Sequence, residues 1–188
     1  DILTNIIFFF VSILIFIFSI GPDKETISLI GVGIVWTLLL LSSTLSLRKF
    51  YQDDFENGNL LIIHLNGFSF GFIAILKTFS HFFFVQVPFL ISIPIACILL
   101  NIANDKLIYL FVSFGIGSLI LSCLGSISSS MNLTNQRNFL LSSVIVMVFS
   151  VPIIIFSVGV VNMEENFNSL MNILFGILLI VFAINPWA

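Results

Sequence analysis

The sequence predicts an all-α, polytopic membrane protein with six transmembrane helices, and three observations predict it. Hydrophobic residues fill 59% of the 188 positions and charged residues only 8%, with a mean hydropathy of +1.23; ordinary globular chains carry roughly 25% charged residues. Apolar runs recur at about the 20 residues that a helix needs to cross hydrocarbon. The polar residues gather into short stretches between those runs, which leaves no room for a soluble domain. Six Lys and Arg against nine Asp and Glu give a net charge of −3, so the basic footprint of a nucleic-acid binder is absent.

The first span is expected over 2–20, with Thr4 and Asn5 near its start and Gly21-Pro22 closing it, because proline cannot continue the helical ladder. No small-x-small cleavage site follows, which argues for a span rather than a signal peptide. The chain starts at Asp1 and stops just after an apolar run, as a piece of a longer protein would. Asp23, Lys24 and Glu25 precede a second span over 27–47, in which Trp36 lies deep enough to be packing.

The segment 48–81 is where the chain must meet water. Its first twelve residues, Arg48 to Asn59, hold two cations and three carboxylates, and each charge at the bilayer centre costs roughly 2.5–3.5 kcal/mol on insertion scales. A short helix from Leu60 to Leu65 is expected, capped by Asn59 and ended by the turn signal Asn66-Gly67. A half-amphipathic lead-in with Lys77 and His81 then precedes a third span over 82–100, kinked by Pro88 and Pro94.

The fourth span is expected over 107–129. Ser118, Ser122, Ser126 and Ser130 recur every fourth residue with Gly125 beside them, a strip of small side chains that lets helix backbones approach. The same strip could line a polar path, but helix packing within or between subunits is the reading preferred. A polar loop with Arg137 follows, in which Asn132-Leu133-Thr134 matches a glycosylation acceptor by chance, and spans five and six are expected over 139–161 and 170–184. Arg48, Lys49, Lys77 and Arg137 on one side outnumber Lys24 and Lys106 on the other, which puts the charged loop and both termini on the cytoplasmic or matrix side.

No GxxxxGK[ST], HExxH or GxSxG pattern occurs, so neither nucleotide hydrolysis nor a recognisable catalytic centre is expected. Cys97 and Cys123 sit inside apolar runs without metal-ligand or redox spacing and read as small core hydrophobes; no metal site is expected. His64 and His81 raise a heme-ligand reading, set against the commoner use of an interfacial histidine as a hydrogen-bonding or snorkelling group. No span carries a mid-membrane charge, as an ion-coupled carrier would. A membrane subunit without its own energy source, bearing a charged elbow and a short aqueous helix, points to a permease driven by a separate ATPase.

An ordered set of motifs carries a resemblance. Ser19-Ile20-Gly21-Pro22 is followed by Gly33-Ile34-Val35-Trp36, by the loop from Arg48 to Leu60, by Leu76-Lys77 with His81 ahead of Val87-Pro88, by Pro152 to Phe156, and by Asn185-Pro186-Trp187-Ala188. On these the chain resembles the cytochrome c maturation protein B family, also called heme exporter B permeases. It departs from them at Asn57-Gly58-Asn59-Leu60-Leu61, where family members carry acids on both sides of the glycine, and in lacking the amphipathic helix that usually precedes the first span.

The resemblance implies a six-span ABC-2-type exporter permease of a bacterial inner membrane, or of a mitochondrial inner membrane if the chain is organellar. It implies an ATPase subunit as partner, with the ATP bound there, a heme-handling membrane partner, and two copies in the complex. Heme is the implied cargo rather than a resident cofactor. Asp53, Asp54 and Glu56 would meet basic residues on the ATPase, Gly58 would permit the sharp turn, and Leu60, Leu61 and Leu65 would fill an apolar groove there. His81 and Lys77 are the candidates for heme or partner contact. Two alternatives stay open: the same architecture exporting a lipid, glycan or drug, and a scaffold that turns ATP hydrolysis into release of a heme chaperone without moving cargo itself.

Overall fold

The computed structural model describes residues 2–21, 23–47, 50–131, 133, 139–162 and 166–187, the side chains of 139–142 excepted. Arg48, Lys49, Arg137, Glu164, Glu165 and the Asn132 acceptor therefore lie outside the described residues. Within them all regular structure is helical: α1 (Ile2–Ile20), α2 (Lys24–Thr44), α3 (Gln52–Glu56), α4 (Asn59–Leu65), α5 (Phe70–His81), a π-helical turn (Phe82–Gln86), α6 (Val87–Leu99), α7 (Asn104–Ser130), α8 (Phe139–Asn162) and α9 (Phe167–Ile184), closed by a 3-10 turn (Asn185–Trp187). Counting α5 to α6 as one continuous rod, six helices are long and apolar enough to cross a membrane.

Local chemistry sets the ends. Gly21 takes φ +87°, the left-handed conformation that terminates α1. Asp23 opens α2, its carboxylate accepting from the Glu25 N–H at 3.1 Å and the Thr26 hydroxyl at 2.5 Å. Ser69 opens α5 by accepting from the Phe72 N–H at 3.3 Å.

The third long helix differs from the sequence expectation by starting at Phe70 instead of 82. Lys77 and His81 do not end it: Lys77 pairs with Asp54 of α3, and His81 meets serine hydroxyls inside the bundle. Pro88 leaves its mark as a change of pitch rather than a break. It has no N–H for the carbonyl one turn back, and the Val87 N–H bonds five residues back to Phe82, the π register.

α7 is the central rod, packed against α8, α9, α5, α6 and α2. Trp36 of α2 is fully buried with its ring 5.3 Å from that of Phe114 on α7, and it fits because Gly117 leaves the space that a Cβ would occupy. Several hydroxyls inside the spans are satisfied on their own helices, as Ser42 to the Leu38 carbonyl at 2.7 Å and Ser92 to the Pro88 carbonyl at 2.9 Å. That is how polar side chains are tolerated where no water reaches. Cys97 and Cys123 are buried free thiols.

Candidate coupling site at the charged end of the bundle

The segment between α2 and α5 folds back as an elbow. Two short helices, α3 and α4, meet at Gly58, whose φ of +72° supplies the turn between them. Asn59 does not cap α4, contrary to the sequence expectation. With Gly58 already in the capping position, Asn59 is the first helical residue, and its side-chain amide donates instead to Asp54 at 3.2 Å, tying α4 to α3. Asn66 and Gly67, the latter at φ +96°, end α4.

The acidic residues split by environment. Asp54 pairs with Lys77 of α5, both about a quarter to a third exposed at 25% and 30%, so this bridge anchors the elbow to the third long helix. Asp53 and Glu56 face outward, and Glu56 accepts from the Gln52 amide at 2.5 Å. Of the three leucines, Leu61 and Leu65 stand outward at 58% and 76% exposure. Leu60 differs from expectation. It turns inward beside Tyr51, Ile73 and Ser126, because successive residues of a helix cannot share a face.

The root of the elbow is bolted to α7. The Tyr51 hydroxyl meets the Ser126 hydroxyl at 2.6 Å, and Ser129 donates to the Leu47 carbonyl at 3.1 Å. Leu47 fills the notch left by Gly125, where a Cβ would lie 2.5 Å from its Cδ2. Burial raises the Tyr51 phenol above its ordinary value, and the Ser126 hydrogen bond acts in the opposite direction.

His81 is buried, its Nδ1 3.0 Å from the Ser122 hydroxyl and its Nε2 2.8 Å from the Ser46 hydroxyl, with the Phe50 ring 4.9 Å away. The sequence expectation placed it at an interface; the structure makes it a bridge between the end of α2 and α7. Ser118, Ser122 and Ser126 are buried, and the last two use their hydroxyls on α5 and on the linker before α3. At the other edge of α5, the Asn185 amide donates to the Thr78 hydroxyl at 2.9 Å. Pro186 packs so closely on Gly71 that a Cβ there would lie 2.9 Å from its carbonyl oxygen.

Ser46, Tyr51, Thr78 and Asn185 were not singled out from sequence as members of this network. Their partners lie 35, 75 and 107 residues away, and no periodicity within one helix joins such positions. Among the described residues no group of three His, Cys, Asp or Glu side chains is placed to hold a metal ion.

Six helices long and apolar enough to cross a membrane, with a polar elbow clamped to one end, define a multi-pass membrane protein. The chain matches the family described as CcmB protein over residues 1–188, and it belongs to that family. It is 30% identical to Heme exporter protein B of Haemophilus influenzae over 162 residues, 86% of this chain and 73% of the relative. To Heme exporter protein B of Bradyrhizobium diazoefficiens it is 27% identical over 190 residues, 99% of this chain and 86% of the relative. To that of Escherichia coli K12 it is 26% identical over 155 residues, 82% and 70% of the two chains.

Proposed function

We propose that this chain is the permease subunit of an ABC-type inner-membrane complex that delivers heme for c-type cytochrome maturation, and that 48–81 is its contact with a separate ATPase subunit. The names of its relatives supply the heme pathway. The observation that carries the coupling role is the elbow itself: Leu61 and Leu65 stand out on one face of α4 beside the outward carboxylates of Asp53 and Glu56, while Tyr51, Lys77 and Ser129 hold its root to α5 and α7. An apolar pair inserted in a groove supplies affinity, and the carboxylates on its rim supply registry with basic residues of the partner. A rigid root lets a push on the elbow reach the spans.

Two copies are proposed because ABC ATPase subunits work in pairs, and the elbow is assigned to the cytoplasmic side, or the matrix side of an organelle, from the distribution of Lys and Arg. The test is the double variant Leu61→Asp/Leu65→Asp in the full-length protein. It is expected to lower recovery of the ATPase in mild-detergent purification by about tenfold or more, given about 2 kcal/mol or more per desolvated anchor. Undiminished recovery with normal cytochrome c assembly would remove the elbow from the interface.

One observation favours the scaffold version of this function over literal passage of heme through the chain. The Ser46 and Ser122 hydroxyls stand 2.8 and 3.0 Å from the two imidazole nitrogens of His81, so iron reaches either nitrogen only by displacing a serine. Heme absorbance that co-purifies equally with the wild type and with His81→Ala removes His81 as a ligand; loss of that absorbance from His81→Ala, with the ATPase still bound, restores ligation and the passage reading.

A further inference from the structure

A cleft of about 460 Å³ opens between the start of α1, the end of α2 and α5, with Leu45, Phe84 and Val85 among its apolar walls and Asn5, Lys77 and Ser80 among its polar ones. Its polar part lies at the height where α2 has ended at Thr44 and α1 has just begun at Ile2, the level at which spans give way to lipid headgroups. Phe84 and Val85 follow Lys77 by about two turns along the same rod, which carries the wall from the polar end toward the membrane interior.

Asn5 is the telling residue. It is only 5% exposed as a residue and lines the cleft, yet its amide atoms are not among the sealed, unpartnered polar atoms of the interior, so they open into the cleft. Lys77 has three donors, and the Asp54 carboxylate does not exhaust them. An ammonium, a hydroxyl and an amide therefore line one cleft with apolar walls. His81 also lines the cleft, with a serine hydroxyl against each ring nitrogen, so the groups left facing the opening are the donors of Lys77, Ser80 and Asn5.

We propose that this cleft is a phospholipid site, in which Lys77, Ser80 and the Asn5 amide donate to the phosphate and one acyl chain lies along Leu45, Phe84 and Val85. A lipid arrives in this orientation without turning, head at the water level and chain along the spans. The inference needs only the membrane setting and stands apart from the heme reading.

The experiment is native mass spectrometry of the full-length protein, delipidated in mild detergent and titrated separately with dihexanoyl phosphatidylglycerol, with dioctanoylglycerol, which lacks the phosphate, and with hemin. The wild type is expected to hold one phosphatidylglycerol and no dioctanoylglycerol. Lys77→Met and Asn5→Leu should each weaken the phosphatidylglycerol adduct by about tenfold, the size expected for one charge-assisted or buried hydrogen bond. Lys106→Met, at the opposite end of the bundle, should leave it unchanged, and Asp54→Asn, which frees the ammonium without removing it, should not weaken it. The proposal is overturned if dioctanoylglycerol binds as well as phosphatidylglycerol, if Lys77→Met and Asn5→Leu both retain wild-type lipid binding, if Asp54→Asn weakens the adduct as much as Lys77→Met, or if hemin displaces the lipid and itself depends on Lys77.

Discussion

His81 holds one hydroxyl just past the end of α2 and another on α7, the first bond part-buried and the second buried. Hydrogen bonds between membrane helices average about 0.6 kcal/mol in double-mutant cycles, with a ceiling near 1.7. His81→Ala should therefore cost about 1–2 kcal/mol, including the two hydroxyls it strands, read as earlier unfolding in a denaturant titration in detergent. Ser122→Ala should cost less, and the double variant should fall short of the sum; strict additivity would mean that the pair does not interact. At the same scale, Leu60 and Leu61 are neighbours in sequence with opposite fates. Only Leu61 is available to a partner, so Leu60→Ala should lower stability and leave ATPase recovery unchanged in the same purification.

The start of α2 and its contact with α7 can each be tested singly. The Asp23 carboxyl at the start of α2 is held below the usual carboxylate range, first by the Thr26 hydroxyl and then by backbone N–H groups. A folded-state pKa below the unfolded one means that the cap stabilises fully above the unfolded value of about 3.9 and is lost as pH falls through the lower folded value. Asp23→Asn should remove that step from the acid limb of a stability–pH profile while leaving the plateau near neutrality only slightly lower. The contact of α2 with α7 is steric. A Cβ on Gly117 would run into the buried Trp36 ring, so Gly117→Ala should destabilise by about 1–3 kcal/mol, the usual range for overpacking. Trp36→Phe in the same chain should recover part of that loss, and its failure to do so would show that the two helices do not meet there.

Over the whole molecule, the elbow, the start of α1, the end of α7 and the closing turn gather at one end of the bundle, whereas Lys24, Asn101, Lys106 and Asn162 gather round an open polar hollow at the other. Cysteine introduced at Asn57 in a variant lacking Cys97 and Cys123 should react with an impermeant maleimide only from the face that also exposes Trp187. Cysteine at Ala103 should react only from the opposite face. Labelling of both from one side would break the proposed arrangement of spans. α1 and α9 carry the least buried surfaces of the six crossings, which is where lipid or further subunits find their largest apolar contact.

The division between what was legible in the sequence and what was not follows the range of the forces. Hydropathy over about 20 residues made the all-α, six-crossing architecture plain, and the cluster of charges from Arg48 to Asn59 marked a break between the second and third long helices, because a helix in hydrocarbon must satisfy its polar groups locally or expel them. Gly58 and the Asn66-Gly67 turn were likewise readable, since φ above zero is a property of one residue and its neighbours. The start of the third long helix at Phe70 was not, because Lys77 and His81 sit in that helix with Asp54, Ser46 and Ser122 as partners from other segments. The inward turn of Leu60, the bonding of Asn59 to Asp54 and the bolting of Tyr51 to Ser126 belong to the same class. Each depends on the register in which separate helices pack, and tertiary structure decides that register because it is fixed by side chains distant in the chain.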